Sequence, residues 1–299
     1  MRKLTGYLRL MRPANIVTAV ADILAGVVIA GYASTGNQFS SLLPVFLLIL
    51  STIGLYGGGV VFNDVFDSKL DAIERPERPI PSGLVSKTNA TALALCLYAM
   101  ALIAAAFVHP QVFSLSFLFA VIIAVLATVY DKWSKHHSLF GPVNMGLCRG
   151  FNLLLGMSIN PTAVMQYWWL AIFPVIYIGA ITMISRDEVY GGKRITLCLA
   201  AFFYLIVLST ISWFAVERNQ LLYAAAFILF FAGMIGLPLF KAIKSPVAQN
   251  IRKSVKAGVI AVILMNASWA AAFGALGWAL VILCLLPLSL LFARIFAVT

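Results

Sequence analysis

The chain has 299 residues, of which 62% are hydrophobic and only 10% are charged, and its formal net charge is +11. A soluble domain carries about 25% charged residues, so this composition excludes an ordinary soluble protein and predicts an integral membrane protein. The basic residues follow the loops between apolar segments and form no groove with interleaved aromatic residues, so no nucleic-acid partner is expected.

Apolar segments recur along the whole chain. A membrane-crossing helix needs about 20 mainly apolar residues. Windows of that kind lie at 14–33, 42–63, 89–108, 111–130, 140–158, 165–184, 195–215, 221–240, 255–273 and 277–297. The last two are separated only by the stretch FGALGW, so they form either two helices or one broken segment. We therefore predict an all-α polytopic membrane protein with nine or ten transmembrane helices, organised as one domain over residues 1–299.

The Lys and Arg residues are distributed unevenly between the two sides of these segments. The N-terminal tail and the loops after the second, fourth, sixth and eighth segments carry nearly all of them, whereas the opposite loops carry Arg218. Cytoplasmic loops of membrane proteins are enriched in basic residues. This asymmetry predicts that both termini and the even-numbered loops face the cytoplasm, in a multi-pass protein of the bacterial inner membrane.

The loop after the second segment concentrates acidic residues. It holds half of the ten in the chain, namely Asp64, Asp67, Asp71, Glu74 and Glu77. The three aspartates are spaced i, i+3, i+7, which places them on one face of a helix. Like charges at this spacing repel each other, so a cation is expected beside them. Mg²⁺ is commonly bound by one or two carboxylates together with substrate phosphates, and the guanidinium groups of Arg75 and Arg78 suit further phosphate oxygens. The pattern favours a site for a Mg²⁺-bound diphosphate; the alternative is a solvated loop whose acids pair with nearby basic residues.

The stretch NDVFDSKLDAIERPERPIPSG resembles the first aspartate-rich motif of the UbiA superfamily of intramembrane prenyltransferases, N-D-x-x-D-x-x-x-D followed by R-P-x-R-P-[IL]-P-S-G. The stretches RPANIVTAVADILAG and YDKWSK are also similar to the family, and the resemblance extends over essentially the whole chain. It implies about nine helices around a central cavity. It also implies transfer of a prenyl group from an allylic diphosphate to an aromatic, quinone-precursor, tetrapyrrole or glycerol-type acceptor. The residues that the resemblance assigns to Mg²⁺ and diphosphate are Asn63, Asp64, Asp67, Asp71, Arg75 and Arg78.

The loop after the sixth segment, SRDEVYGGKR, stands where the family has a second motif, D-x-x-x-D. It departs from that motif because Gly191 and Gly192 follow four residues after Asp187 and Glu188. The two acids remain candidate metal ligands, and the number of Mg²⁺ ions, one or two, stays open. The candidates for phosphate contact in this loop are Arg186, Lys193 and Arg194. A loop that only sets topology is the alternative, and the loop is also similar to a bacterial subgroup called EboC-like.

In YDKWSK, residues Tyr130, Lys132 and Lys135 resemble the Tyr/Lys element with which the family contacts the diphosphate. Asp131 is expected to pair with these lysines. The alternative is again a loop that sets topology.

Polar residues inside membrane segments are costly and often functional. The first segment contains Asn15 and Asp22, and the fifth contains Asn144, Arg149 and Asn152. An Asp22–Arg149 pair that only holds the helices together is as consistent with the sequence as a role in orienting the acceptor or the diphosphate.

The sequence therefore predicts Mg²⁺-dependent transfer of a prenyl group to a small aromatic or quinone-precursor acceptor within the bilayer. A non-catalytic prenyl-lipid-binding relative remains an alternative. A membrane transporter with Asp22 and Arg149 at the midplane is a second, although it explains neither the acidic cluster nor RPERPIPSG. A CDP-alcohol phosphotransferase would require D-x-x-D-G-x-x-A-R, whereas Ser68 follows Asp67.

Overall fold

A computed structural model describes residues 2–32, 42–188 and 191–296. The described residues form thirteen α-helices and two short 3₁₀ turns, at Ser134–His136 and Trp168–Ala171. In chain order the helices are α1 (Arg2–Met11), α2 (Pro13–Ile29), α3 (Leu43–Phe66), α4 (Ser68–Glu74), α5 (Lys87–Ala106), α6 (Leu115–Lys132), α7 (Phe140–Met157), α8 (Pro161–Tyr167), α9 (Ile172–Ser185), α10 (Arg194–Glu217), α11 (Leu221–Lys244), α12 (Ala248–Ala272) and α13 (Leu276–Ile295).

The predicted all-α membrane architecture is confirmed. Eight helical stretches in the described part of the chain are long and apolar enough to cross a membrane, and α8 and α9 together make one of them. A ninth is possible if α1 and α2, which are bent by 47° relative to each other, count as one span. Helix α7 forms where the fifth segment is predicted but is not among the eight, because Asn144, Arg149 and Asn152 lower its hydropathy.

The last two predicted segments form two separate helices, so the alternative of one broken segment is wrong. Helix α12 ends at Ala272 and α13 begins at Leu276. Between them Gly274 has a φ of 82°, a left-handed conformation that glycine adopts without a steric penalty. Residue 33 of the first predicted window and residue 297 of the last lie outside the described residues.

Two helices occupy the interior of the bundle. In α12, 78% of the most apolar window is buried, compared with 22–56% in the other seven spans. Helix α12 packs on α2, α9, α11 and α13, and α2 packs on α3, α7, α12 and α13. The other spans expose one side, where large apolar side chains suit the lipid chains of a bilayer.

Helices α2 and α7 approach each other with their backbones nearly in contact. A Cβ atom added to Gly156 would lie 2.5 Å from the carbonyl oxygen of Ile23, and one added to Gly26 would collide with the carbonyl oxygen of Leu153. Small residues at membrane helix interfaces permit such close approach. Because the two backbones are so close, the polar residues of α2 and α7 can meet in the interior.

Candidate active site

The acidic stretch lies where α3 gives way to α4. The backbone N–H of Asp67 donates to the carbonyl of Asn63 (2.9 Å), and that of Asp71 donates to the carbonyl of Asp67 (2.8 Å). Helical hydrogen bonding therefore continues across the break between the helices. As a result one guanidinium nitrogen of Arg78 lies 3.4 Å from Asp64 and 2.7 Å from Asp71. These two aspartates face the same side, as their spacing predicts.

Basic residues from two other parts of the chain reach this acidic face. Arg12 lies 2.7 Å from Asp64. Lys135, in the turn after α6, lies 2.5 Å from Asp67 and donates to the side-chain oxygen of Asn63 at 3.1 Å. We call this group the acidic cap; its residues are Arg12, Asn63, Asp64, Asp67, Asp71, Arg78 and Lys135.

Arg12 is a member of the cap that the Lys/Arg distribution indicates only as one of the basic residues of the N-terminal tail. It lies at the bend between α1 and α2 and has a φ of 48°. Such a conformation is uncommon for a residue other than glycine, and backbone strain of this kind concentrates at functional sites. The Arg-Pro pair at the start of RPANI, with Pro13 as the first residue of α2, is the signal that could have identified it.

A cavity of about 220 Å³ lies next to the cap, between α2, α3, α6 and α7. Of the predicted site residues, those that line it are Asn15, Asn63, Tyr130, Arg149 and Asn152. The polar or reactive lining residues that the sequence analysis did not assign to the site are Arg12, Thr52, Tyr56, Asp131 and Cys148. Thr52, Tyr56 and Asn63 are four and seven residues apart, so they share a face of α3. This periodicity could have indicated two of the missed residues.

Arg149 lines this cavity and also contacts the buried residues behind it. Its guanidinium donates to Asp22 at 2.8 Å, to the hydroxyl of Thr18 at 2.6 Å and to the hydroxyl of Tyr56 at 3.2 Å. It also lies 4.8 Å from the centre of the Tyr56 ring. The predicted pair between Asp22 and Arg149 is present, and both side chains are almost fully buried.

Asparagine side chains complete the bonding of Asp22. The Asn152 amide donates to one carboxylate oxygen at 3.1 Å, and the Asn266 amide donates to the other at 2.7 Å. Thr52 in turn donates to the Asn152 side-chain oxygen at 2.7 Å. The charge of Arg149 is thus balanced by a fully bonded carboxylate, and the guanidinium is held at the cavity wall.

Three predicted substrate-binding residues lie beside the cap without lining the cavity. The Asn144 amide donates to the hydroxyl of Ser134 at 2.7 Å. Arg186 donates to the backbone carbonyls of Lys135 and His137. Both residues therefore support the turn that carries Lys135. Lys132 is exposed, and its ammonium lies 4.4 Å from the centre of the Trp133 ring.

We call the loop that holds Asp64, Asp67 and Asp71 the first loop, and the loop SRDEVYGGKR the second loop. Described residues of the second loop line a separate surface pocket. It is lined by Asp187, Gly191, Gly192, Lys193, Thr196 and Pro246. Gly191 has a φ of 83°, and a Cβ atom on Gly192 would collide with the carboxylate of Asp187. The glycines that replace the second carboxylate of the motif thus have a structural role. Arg194 donates to the backbone carbonyl of Lys244 at 3.4 Å.

Glu188 of the second loop lies within the electrostatic influence of Arg75 of the first loop. Burial raises the pKa of the partly buried Glu188 carboxyl, and the charges of Arg252 and Arg75 oppose this rise. Arg75 is exposed. Its charge therefore acts on the second loop, whereas Arg78 contacts the aspartates of the first.

The donor atoms of the cap fit Mg²⁺. In the ion pairs above, Asp64 and Asp67 each use Oδ1 and Asp71 uses Oδ2, so the other oxygen of each carboxylate is left for a hard cation. Within residues 2–32, 42–188 and 191–296, no three His, Cys, Asp or Glu side chains form a ready-made metal cage. A Mg²⁺ ion here would complete its shell with phosphate oxygens and water, as is usual for this metal.

Comparisons with known proteins agree on one family. The sequence model of the UbiA prenyltransferase family matches residues 24–253. The digeranylgeranylglyceryl phosphate synthases of Sulfolobus acidocaldarius and Ignicoccus hospitalis are 32% and 30% identical to this chain over 189 and 190 residues. These matches cover 63% of this chain and 63% and 59% of the relatives, so the chain spans about three fifths of their length.

Solved structures share the fold. A digeranylgeranylglyceryl phosphate synthase structure has a TM-score of 0.64 and 22% identity, covering 91% of this chain and 99% of its own. A UbiA homologue from Archaeoglobus fulgidus, bound to DMAPP and Mg²⁺, has a TM-score of 0.62 and 18% identity, covering 90% and 99%. With the family match over residues 24–253, this chain belongs to the UbiA prenyltransferase family.

Proposed function

We propose that this protein transfers a prenyl group from an allylic diphosphate to a small aromatic or quinone-precursor acceptor, with Mg²⁺ as cofactor. The observation that carries the proposal is the position of the acidic cap beside the cavity. Asn63 and Arg12 belong to both. A diphosphate at the cap would therefore have its prenyl chain directed into the cavity.

The cap supplies what departure of a diphosphate requires. Asp64, Asp67 and Asp71 are the proposed Mg²⁺ ligands, and when bound Mg²⁺ stabilises the negative charge that develops on the diphosphate oxygens. Arg12, Arg78 and Lys135 supply charge-assisted hydrogen bonds to the same oxygens. In this structure those cations pair with the aspartates. On binding of a Mg²⁺ diphosphate, these basic side chains would pair with phosphate oxygens instead, and the aspartates would pair with Mg²⁺.

The cavity supplies what an allylic cation requires. Its walls combine apolar side chains, among them Leu55, Val60, Ile123 and Met145, with the ring of Tyr56. Such walls exclude water, which would otherwise capture the cation. Aromatic faces also attract cations. The polar residues at the wall beside Arg149 are available to orient the acceptor.

The acceptor has a second candidate. Relatives matched over part of the chain are named digeranylgeranylglyceryl phosphate synthases, which favours an acceptor that carries a glycerol phosphate. Of the two arginines that line the cavity, Arg12 is already proposed to contact the diphosphate, and Arg149 is paired with the buried Asp22. Neither is left for a second phosphate, which favours an uncharged aromatic acceptor over a phosphorylated one.

For orientation, we propose that the acidic cap and both termini face the cytoplasm of a bacterium, in its inner membrane. The distribution of basic residues supports this orientation. The second loop contributes diphosphate contacts through Lys193 and Arg194, and Asp187 and Glu188 remain proposed metal ligands. The whole chain, residues 1–299, is proposed to act as one domain.

The test is a product assay. Purified protein is incubated with Mg²⁺, allylic diphosphates of graded length, and phenolic, quinone-precursor and glycerol phosphate acceptors, and products are read by mass spectrometry. We expect a prenylated aromatic product whose formation needs Mg²⁺ and is lost in Asp71→Ala, but is retained in Glu217→Gln, a control for removal of an exposed acid. No product with any acceptor, from protein that still binds a diphosphate analogue, would support a non-catalytic prenyl-lipid-binding protein instead.

A further inference from the structure

One carboxylate oxygen at the cavity has no hydrogen-bond partner among the described residues. Asp131, in the last turn of α6, is 5% exposed and lines the cavity. The expected pairing with the neighbouring lysines is wrong, because Lys135 turns to Asp67 and Lys132 lies over the Trp133 ring. In the described part of the chain, one fully enclosed oxygen of Asp131 has no hydrogen-bond partner.

Such an arrangement is costly unless a ligand relieves it. A buried polar group without a hydrogen bond destabilises a protein, so buried side-chain oxygens nearly always find a partner. Asp131 lies at a cavity wall, where a bound molecule could supply the missing donor. The cavity occupant should therefore present an O–H or N–H group to Asp131.

Among the charged residues that line the cavity, Asp131 is the one that can accept a hydrogen bond from the occupant. The lining arginines, Arg12 and Arg149, are paired with Asp64 and Asp22, and Asp131 is the lining acid. Arg12 and Asn63 of the acidic cap line the same cavity as Asp131, so Asp131 lies where the diphosphate end of the site meets the cavity.

Resting on the proposed function, we propose that Asp131 is the catalytic base that takes the proton from a hydroxyl acceptor. The acceptor oxygen forms a bond to C1 of the prenyl group while the bond between C1 and the diphosphate oxygen breaks. The electron pair of the broken bond leaves with the diphosphate, and the acceptor O–H proton passes to the Asp131 carboxylate. The acceptor class is thus an uncharged hydroxyl compound, such as a phenol, with its O–H directed at α6.

The test compares Asp131→Asn with wild type, using geranyl diphosphate, Mg²⁺ and a series of phenols of increasing acidity. General base catalysis typically contributes about 10²–10⁴-fold, so we expect transfer to the least acidic phenol to fall by about 100-fold or more. The defect should shrink as the phenols become more acidic, because an ionised phenol needs no base. Binding of an unreactive geranyl diphosphate analogue should stay within about twofold of wild type, which also shows that the variant is folded. Asp131→Glu should restore part of the rate, and Glu217→Gln should match wild type.

Three results would overturn the assignment. Transfer by Asp131→Asn within about threefold of wild type would remove the base while leaving the proposed function intact. An equal loss with every phenol would make Asp131 a structural residue, and a loss of analogue binding would place it among the diphosphate or metal ligands. No transfer by the wild type with any phenol or other acceptor would instead overturn the proposed function, and this inference with it.

Discussion

Removal of the negative charge of Asp22 should destabilise the protein strongly, even when the size of the side chain is kept. Asp22 and Arg149 are 1% and 3% exposed and 2.8 Å apart. Asp22→Asn keeps the size of the side chain but leaves the Arg149 cation without a counter-ion. The new amide N–H would also face one of the three groups that now donate to the carboxylate, and two donors cannot form a hydrogen bond with each other. These three groups belong to Arg149, Asn152 and Asn266. Loss of one partner of a buried ion pair costs about 3–5 kcal/mol, and we expect a loss of that order.

The matched variants are Arg149→Gln and the double variant Asp22→Asn/Arg149→Gln. Arg149→Gln should cost less than Asp22→Asn, since two asparagine amides still donate to the carboxylate. In the double variant no charge is buried alone, so its loss should be smaller than the sum of the two single losses by about 0.5–3 kcal/mol. The assay is unfolding of the purified protein in one detergent, followed by circular dichroism. Additive losses would show that the two residues are not energetically coupled and would refute this reasoning.

Three further predictions follow from the packing, the topology and the second loop. Gly156→Ala should lower the melting temperature because its new Cβ would meet the α2 backbone at 2.5 Å, with a cost of about 1–3 kcal/mol; Gly236→Ala, which meets nothing within 4 Å, is the control, and equal melting temperatures would argue against the close α2–α7 contact. Cysteines introduced at residues 69 and 191 should react with an impermeant maleimide only from the cytoplasmic side, and one at 218 only from the other side. Labelling of 69 and 191 from opposite sides would contradict the proposal that both loops contact the same diphosphate. Lys193→Ala should weaken binding of a prenyl diphosphate analogue at least as much as Glu188→Ala, whereas Asp71→Ala should lose more of the Mg²⁺ dependence of binding than either; titration calorimetry measures both. If Lys193→Ala leaves the affinity unchanged while Glu188→Ala alters the Mg²⁺ dependence as much as Asp71→Ala does, the second loop is an ordinary second metal motif.

Local periodicity predicted the parts of the site that depend on one helix. The spacing of Asp64 and Asp71 placed them on one side, where Arg78 now bridges them. The cost of burying charge in a membrane predicted the Asp22–Arg149 pair, although 127 residues separate the two. In both cases a single strong physical requirement determines the arrangement.

Contacts that depend on packing between helices could not be predicted in this way. Arg12 reaches Asp64 across 52 residues because of a bend at its own unusual φ, and local sequence carries little information about the direction of such a bend. From its sequence, Lys135 could pair with Asp131 or with Asp67. It contacts Asp67 because Asn144 and Arg186 hold the turn after α6 in place. As a consequence, one oxygen of Asp131 is left without a hydrogen-bond partner among the described residues.

The central claim is that the acidic cap binds a Mg²⁺ diphosphate. The most direct measurement is isothermal titration of an unreactive geranyl diphosphate analogue into wild type, Asp64→Ala and Asp67→Ala, each with and without Mg²⁺. Asp67 is the more exposed of the two aspartates, at 21% for its side chain against 3%, so its truncation should perturb folding less. We expect Mg²⁺-dependent binding by the wild type and its loss in both variants, with membrane insertion retained. Unchanged affinity in both variants, or binding by the wild type that is indifferent to Mg²⁺, would contradict the account.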